Sequence, residues 1–158
     1  MGVIAVAVLV ADQLTKLAVR TQVALHDTIE VIPGLLNLVH VRNTGAAFGF
    51  LNSISLANKQ LLMTGVALVA LAAIALYASQ VGRNETLSRA GLALILGGAI
   101  GNLVDRATVG HVVDFVDVYW RSYHFWAFNV ADSAITVGAC LLILDMFTSS
   151  DRDVSTPV

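Results

Sequence analysis

Four aspartates stand at the ends of apolar runs between residues 97 and 135: Asp105 in GNLVDR, Asp114 and Asp117 in HVVDFVDVYW, and Asp132 in FNVADSAI. Carboxylates beside such apolar stretches are costly unless they have partners or a task. Two of them facing one water could hydrolyse a peptide bond, the ionised one accepting the water's proton and the protonated one polarising the scissile carbonyl. Asp114 lies in an extended V-V-D-F run, where alternation turns it away from Val113 and Phe115. Asp132 follows Asn129 by three residues, so it falls in the first turn of a helix if Asn129 is the N-cap. Asp105 stands next to Arg106, a setting that suits an ion pair. For each acid taken singly, a paired or solvated interfacial charge is the competing reading.

Other chemistries find less support. His111 precedes Asp114 by three and His124 precedes Asp132 by eight, but no H-E-x-x-H or comparable ligand spacing occurs, so no metal site is expected. There is no G-x-S-x-G elbow, and Ser133 has no general base beside it in sequence. Cys140, the only cysteine, excludes an internal disulfide and reads as a small packing residue in an apolar run. A net charge of −2 offers no basic face, so nucleic acid is not an expected partner.

The elements that must position these acids are membrane helices. Of 158 residues 57% are hydrophobic and only 13% charged, about half the charge content of a soluble domain, and the mean hydropathy is +0.79. Apolar runs at about 2–20, 60–82, 86–104 and 129–147 are each long enough to cross ~30 Å of hydrocarbon. The first has no basic start and no A-x-A site placed before a mature domain, so it reads as a span rather than a removable signal. Within it Asp12 and Lys16, at i and i+4, form a pair on one face. In the third, Gly97-x-x-x-Gly101 suits close helix packing. Between the first two spans, β-branched and leucine residues flank Pro33-Gly34 and predict a small β-hairpin within a β-rich stretch at about 27–50. Tyr119, Trp120, Tyr123 and Trp126 suit a membrane interface. The expected fold is an all-α membrane protein, a single domain over residues 1–148 with four transmembrane helices and a small extracytoplasmic β element, and a disordered tail over 149–158.

Four spans bring Asn43, Asp105, Asp114 and Asp132 to one membrane face. The distribution of Lys and Arg argues for the inverse orientation, since Lys16, Arg20, Arg42, Lys59, Arg106 and Arg121 fall on or toward that face and Arg83, Arg89 and Arg152 on the other. Several of the former lie inside polar, site-forming motifs and are discounted for that reason. A small proton- or ion-coupled transporter would also carry intramembrane acids, but it would show repeated halves and acids near mid-span. Here the halves differ and the acids sit at span ends. A non-catalytic binding scaffold is a third reading.

Five ordered blocks resemble lipoprotein signal peptidase, or signal peptidase II: D-Q-L-T-K at 12–16, V-R-N-T-G-A-A-F-G at 41–49, G-N-L-V-D-R at 101–106, V-V-D-F at 112–115 and F-N-V-A-D-S-A-I at 128–135. The resemblance implies a multi-pass aspartic peptidase of the bacterial inner membrane that cuts prolipoproteins before a diacylglyceryl-modified cysteine, with its site on the outer face. It implies Asp114 and Asp132 as the catalytic pair, with Asn43, Asn102, Asp105, Arg106, Asn129, Asp12 and Lys16 around them. It implies no cofactor and no metal, a monomer in membrane lipid, and the modified prolipoprotein as partner. Trp126 departs from the family, which often has proline before the F-N block.

Overall fold

The computed structural model describes residues 1–44 and 59–153, so the end of the second block, residues 45–49, lies outside it. Helix α1 (Gly2–Gln22) carries no charge before Asp12 and ends where Val23 turns to an extended conformation. Strands β1 (Thr28–Ile32) and β2 (Leu36–Asn43) follow, antiparallel about the Pro33-Gly34 turn, where Gly34 takes φ +76°. Helix α2 (Lys59–Gln80) and helix α3 (Thr86–Val109) come next. Then come β3 (Val112–Trp120), the two-residue β4 (Tyr123–His124) and α4 (Val130–Asp153). Among the described residues, four helices are thus long and apolar enough to cross a membrane, as the sequence predicts.

Two helix ends lie well beyond the sequence reading, and the first has a local cause. Helix α3 runs past 104 to Val109, because Gly110, at φ +81°, is the residue that closes it and donates its N–H to the Asp105 carbonyl at 3.2 Å. Helix α4 stays helical through Asp153, into the stretch expected to be a tail, while 154–158 lie outside the described residues. The β element is also larger than a hairpin. Strand β3 pairs antiparallel with β2 from Asn43↔Val112 to Leu36↔Val118, giving the sheet order β1-β2-β3-β4.

Helix α3 is the central post, packed on α1, α4 and α2. Its glycines sort by face. A Cβ at Gly97 would meet the Ala5 carbonyl oxygen at 2.6 Å, and one at Gly101 would meet Asp12 Oδ2 at 2.6 Å, so the Gly97-x-x-x-Gly101 stripe seats α1. Gly91 and Gly98 face α4 instead, Gly91 against the Gly138 backbone. Val19 and Val23 at the end of α1 pack with Val113 and Phe115 of β3, which ties the sheet to the helical bundle. Cys140 is exposed on the outside of α4, so it does not pack as the sequence reading expects.

Candidate active site

Strand β3 is buried on both faces, which is why its apolar run contains an aspartate without looking like a surface strand. Val113 and Phe115 point to α1, so alternation turns Asp114 the other way, and it is only 3% exposed. Its carboxyl accepts from Asn43 Nδ2 at 3.0 Å and from Asn129 Nδ2 at 2.7 Å. Burial, and after it the charge of Asp132, push Asp114 up to about 7, against the opposing pull of those two hydrogen bonds and of Lys16. Such a group keeps its proton to far higher pH than an ordinary carboxylate.

A bulge brings the second acid alongside. The N–H groups of both Phe115 and Val116 donate to the Phe128 carbonyl, at 2.9 and 2.8 Å, and Phe128 N–H returns a bond to Val116 at 3.0 Å. The register of β3 on β2 shifts in the same region, between Leu38 and Val41. The chain before α4 is therefore pinned to β3, and the next residue, Asn129, caps the helix. Asn129 Oδ1 accepts the Asp132 N–H at 2.9 Å while Asp132 Oδ2 accepts the Asn129 N–H at 3.3 Å, a reciprocal capping box. Asn129 is fully buried and its remaining amide group is the donor to Asp114. One asparagine thus joins both acids, binding one through its cap and the other through its amino group.

Asn102 of α3 completes the hold on Asp132, donating from Nδ2 to Oδ1 at 2.8 Å. Behind Asn102 lies a buried ionic cluster. Lys16 Nζ contacts Asp12 Oδ2 at 2.8 Å, Asp105 Oδ2 at 2.9 Å and Asn102 Oδ1 at 2.8 Å, and Arg20 Nη2 meets Asp105 Oδ1 at 2.6 Å. Asp12 also accepts the Ala131 N–H at 2.9 Å, so a second carboxylate satisfies one of the donors at the start of α4. Gly101 lets Asp12 come this close.

These geometries place five of the chain's polar motifs on one site, and the sequence comparisons agree with them. The model of the signal peptidase (SPase) II family matches residues 4–148. The chain belongs to that family. Lipoprotein signal peptidases of Pseudomonas putida, Geobacter metallireducens and Symbiobacterium thermophilum are 48%, 46% and 46% identical to it. The alignments cover 92%, 91% and 91% of this chain and 85%, 88% and 91% of those proteins, in the same order. Two solved structures described as bacterial membrane enzymes superpose with TM-scores of 0.86 and 0.81 at 33% and 35% identity. They cover 99% and 91% of this chain, and 92% and 90% of theirs. The chain is therefore a multi-pass membrane peptidase, and the transporter reading finds no support in the family, the relatives or the fold.

Within this signal peptidase II chain, the nine site residues that the resemblance implies take part in or border the network. Asn43, Asn102 and Asn129 touch the acids, and the half-buried Arg106 lies within electrostatic reach of Asp132, Asp114 and Asp105. Asp12, Lys16 and Asp105 stand one step further back. Asp105 is ion-paired, but to Lys16 and Arg20 rather than to its neighbour Arg106, because successive helical residues diverge by about 100°. Asp117 belongs elsewhere, with Asn37 at 2.9 Å and His124 at 2.9 Å, so His124 is committed away from Asp132. Ser133 donates to the Asn129 carbonyl at 2.9 Å. Sequence reasoning missed Gln13, which donates to Asp12, the Gly101 carbonyl and Asp105, and Arg20 as the partner of Asp105. The second was findable: Asp12, Lys16 and Arg20 recur every four residues on one helix face.

Proposed function

We propose that this peptidase is of the aspartic type, with Asp114 and Asp132 as its catalytic pair, and that it removes signal peptides from prolipoproteins by cutting before a diacylglyceryl-modified cysteine. The supporting observation is Asn129, which binds both carboxyl groups and so fixes them as one unit. The names of its relatives support the substrate. In this reading Asp132 is the carboxylate that takes a proton from water, because it accepts from the Asn129 N–H and the Asn102 amino group and sits in the first turn of α4, where the helix dipole favours an anion by ~0.3–1 kcal/mol. Asp114 carries the proton and donates it toward the scissile carbonyl oxygen as hydroxide adds to the carbon. Collapse of the tetrahedral diol breaks the C–N bond and returns one hydroxyl proton to Asp114, while the proton held by Asp132 passes to the leaving nitrogen. The water's atoms end in the new carboxyl and amine, so no metal or other cofactor enters the balance. The site faces the outer side of the bacterial inner membrane, where the chain works as a monomer among lipids.

The test is a gel-shift cleavage assay in detergent on a lipidated prolipoprotein and its unlipidated precursor. Wild type should cut the lipidated form alone. Asp114→Asn and Asp132→Asn should each lose about three orders of magnitude or more in kcat while extracting and migrating as wild type. Near-normal turnover by either variant removes it from the pair.

A further inference from the structure

The proposed reaction uses two carboxyl groups, yet the molecule also buries a lysine completely. Lys16 has no exposed surface, and its ammonium has three N–H donors and no acceptor. All three have targets: Asp12, Asp105 and Asn102. Two of these are carboxylates, and Arg20 supplies the second cation, so Asp12, Asp105, Lys16 and Arg20 sum to zero charge. Neutral buried clusters of this kind can often be replaced by apolar side chains without loss of stability, so folding alone gives weak reason for this one. The third donor has a direction. It meets Oδ1 of Asn102, and an amide whose oxygen is held on one side must present its amino group on the other. That other side is Asp132, which accepts from Asn102 Nδ2 at 2.8 Å.

An asparagine amide rotated by half a turn would set its oxygen against the Asp132 carboxylate and its amino group against an ammonium, two like-against-like contacts in a buried place. For Asn129 the rotation is blocked by a backbone group, since its Oδ1 receives the Asp132 N–H. For Asn102 the corresponding hold comes from Lys16. Asn129 Nδ2 approaches the same Asn102 oxygen at 3.4 Å, which agrees with that orientation. We infer that Lys16 is a positioning residue of the peptidase, holding the Asn102 side chain in the one amide orientation that donates to Asp132. This rests on the role proposed for Asp132.

Cleavage kinetics on a lipidated prolipoprotein, with purified full-length protein in detergent, separate the two ideas. Asp132→Asn tests the underlying reading by itself: full activity there ends the dyad assignment whatever the lysine variants do. For the lysine, Lys16→Gln keeps an N–H donor and Lys16→Met does not, while both remove the charge. Lys16→Met should lower kcat by about 30-fold or more with KM within about twofold, and Lys16→Gln should retain at least about fivefold more kcat than Lys16→Met. In an Asn102→Ala background the Lys16→Met change should cost no more than about twofold further, because its target is gone. Equal losses in the Gln and Met variants, or a full additional loss in the Asn102→Ala background, would make Lys16 part of the scaffold only and overturn the inference. Should Lys16→Met fail to migrate as a folded protein, Lys16→Gln decides alone: kcat reduced at unchanged KM upholds the inference, and KM raised at unchanged kcat refutes it.

Discussion

At the scale of single residues, the environment of Asp114 makes a prediction about pH. Burial and the neighbouring Asp132 charge lift this carboxyl to about 7, and its protonated form is the one proposed to face the carbonyl. Activity should therefore be present below that value and be lost as pH rises through it, an alkaline limb in kcat/KM that belongs to the coupled pair rather than to one acid. The sign can be checked with a neighbour. Asn43 donates to Asp114 Oδ2 and so favours the ionised form. Asn43→Ala withdraws that help, and its alkaline limb should shift to higher pH even as the maximal rate falls. A limb that moves down, or a wild-type profile flat from pH 6 to 8, would refute the assignment. The infrared carboxyl C=O band seen at neutral pH should likewise be perturbed most by Asp114→Asn.

At the scale of elements, the site depends on how closely α4 can lie on α3. A Cβ at Gly138 would meet the Gly91 carbonyl oxygen at 2.5 Å and Ile95 at 2.7 Å, and neither the backbone nor the branched side chain can move aside cheaply. Gly138→Ala should cost about 1–3 kcal/mol of stability, read as a lower melting temperature in detergent. Gly65→Ala on α2, where nothing lies within 4 Å, should be neutral or slightly stabilising. The helices themselves were legible in the sequence because spans are long apolar runs, and so was the placing of Asp132, because an N-cap and its third residue are neighbours in the chain. The pairing of β2 with β3 was not. It joins segments some seventy residues apart with a bulge between them, and β3, buried on both faces, lacks the apolar-polar alternation that marks a half-exposed strand. The buried ionic cluster was half legible: Asp12 and Lys16 share a face of one helix, whereas their partners Asn102 and Asp105 come from another, and only the fold brings them within 3 Å.

At the scale of the whole molecule, the charge distribution and the proposed function call for opposite orientations in the membrane, and the ionic cluster explains why. The rule that places Lys and Arg inside counts charges free to resist transfer across the bilayer. Lys16 is neutralised between Asp12 and Asp105, Arg20 is bound to Asp105, and Arg106 is within electrostatic reach of three carboxylates. Setting these aside leaves Arg42, Lys59 and Arg121 on the side of the acids and Arg83, Arg89 and Arg152 on the other, so the bias disappears. The proposed function then sets the expected orientation, with the acids at the outer face, where its substrate would present the modified cysteine. With Cys140 replaced, a cysteine at Ser122, exposed between β3 and β4, should react with an impermeant thiol reagent added outside intact spheroplasts. A cysteine at Asn84, exposed in the turn from α2 to α3, should react only after the membrane is opened. Labelling of both from one side would contradict the four-span arrangement. Exchange of the two patterns would keep the spans but put the acids inside, where the proposed substrate does not present its cleavage site.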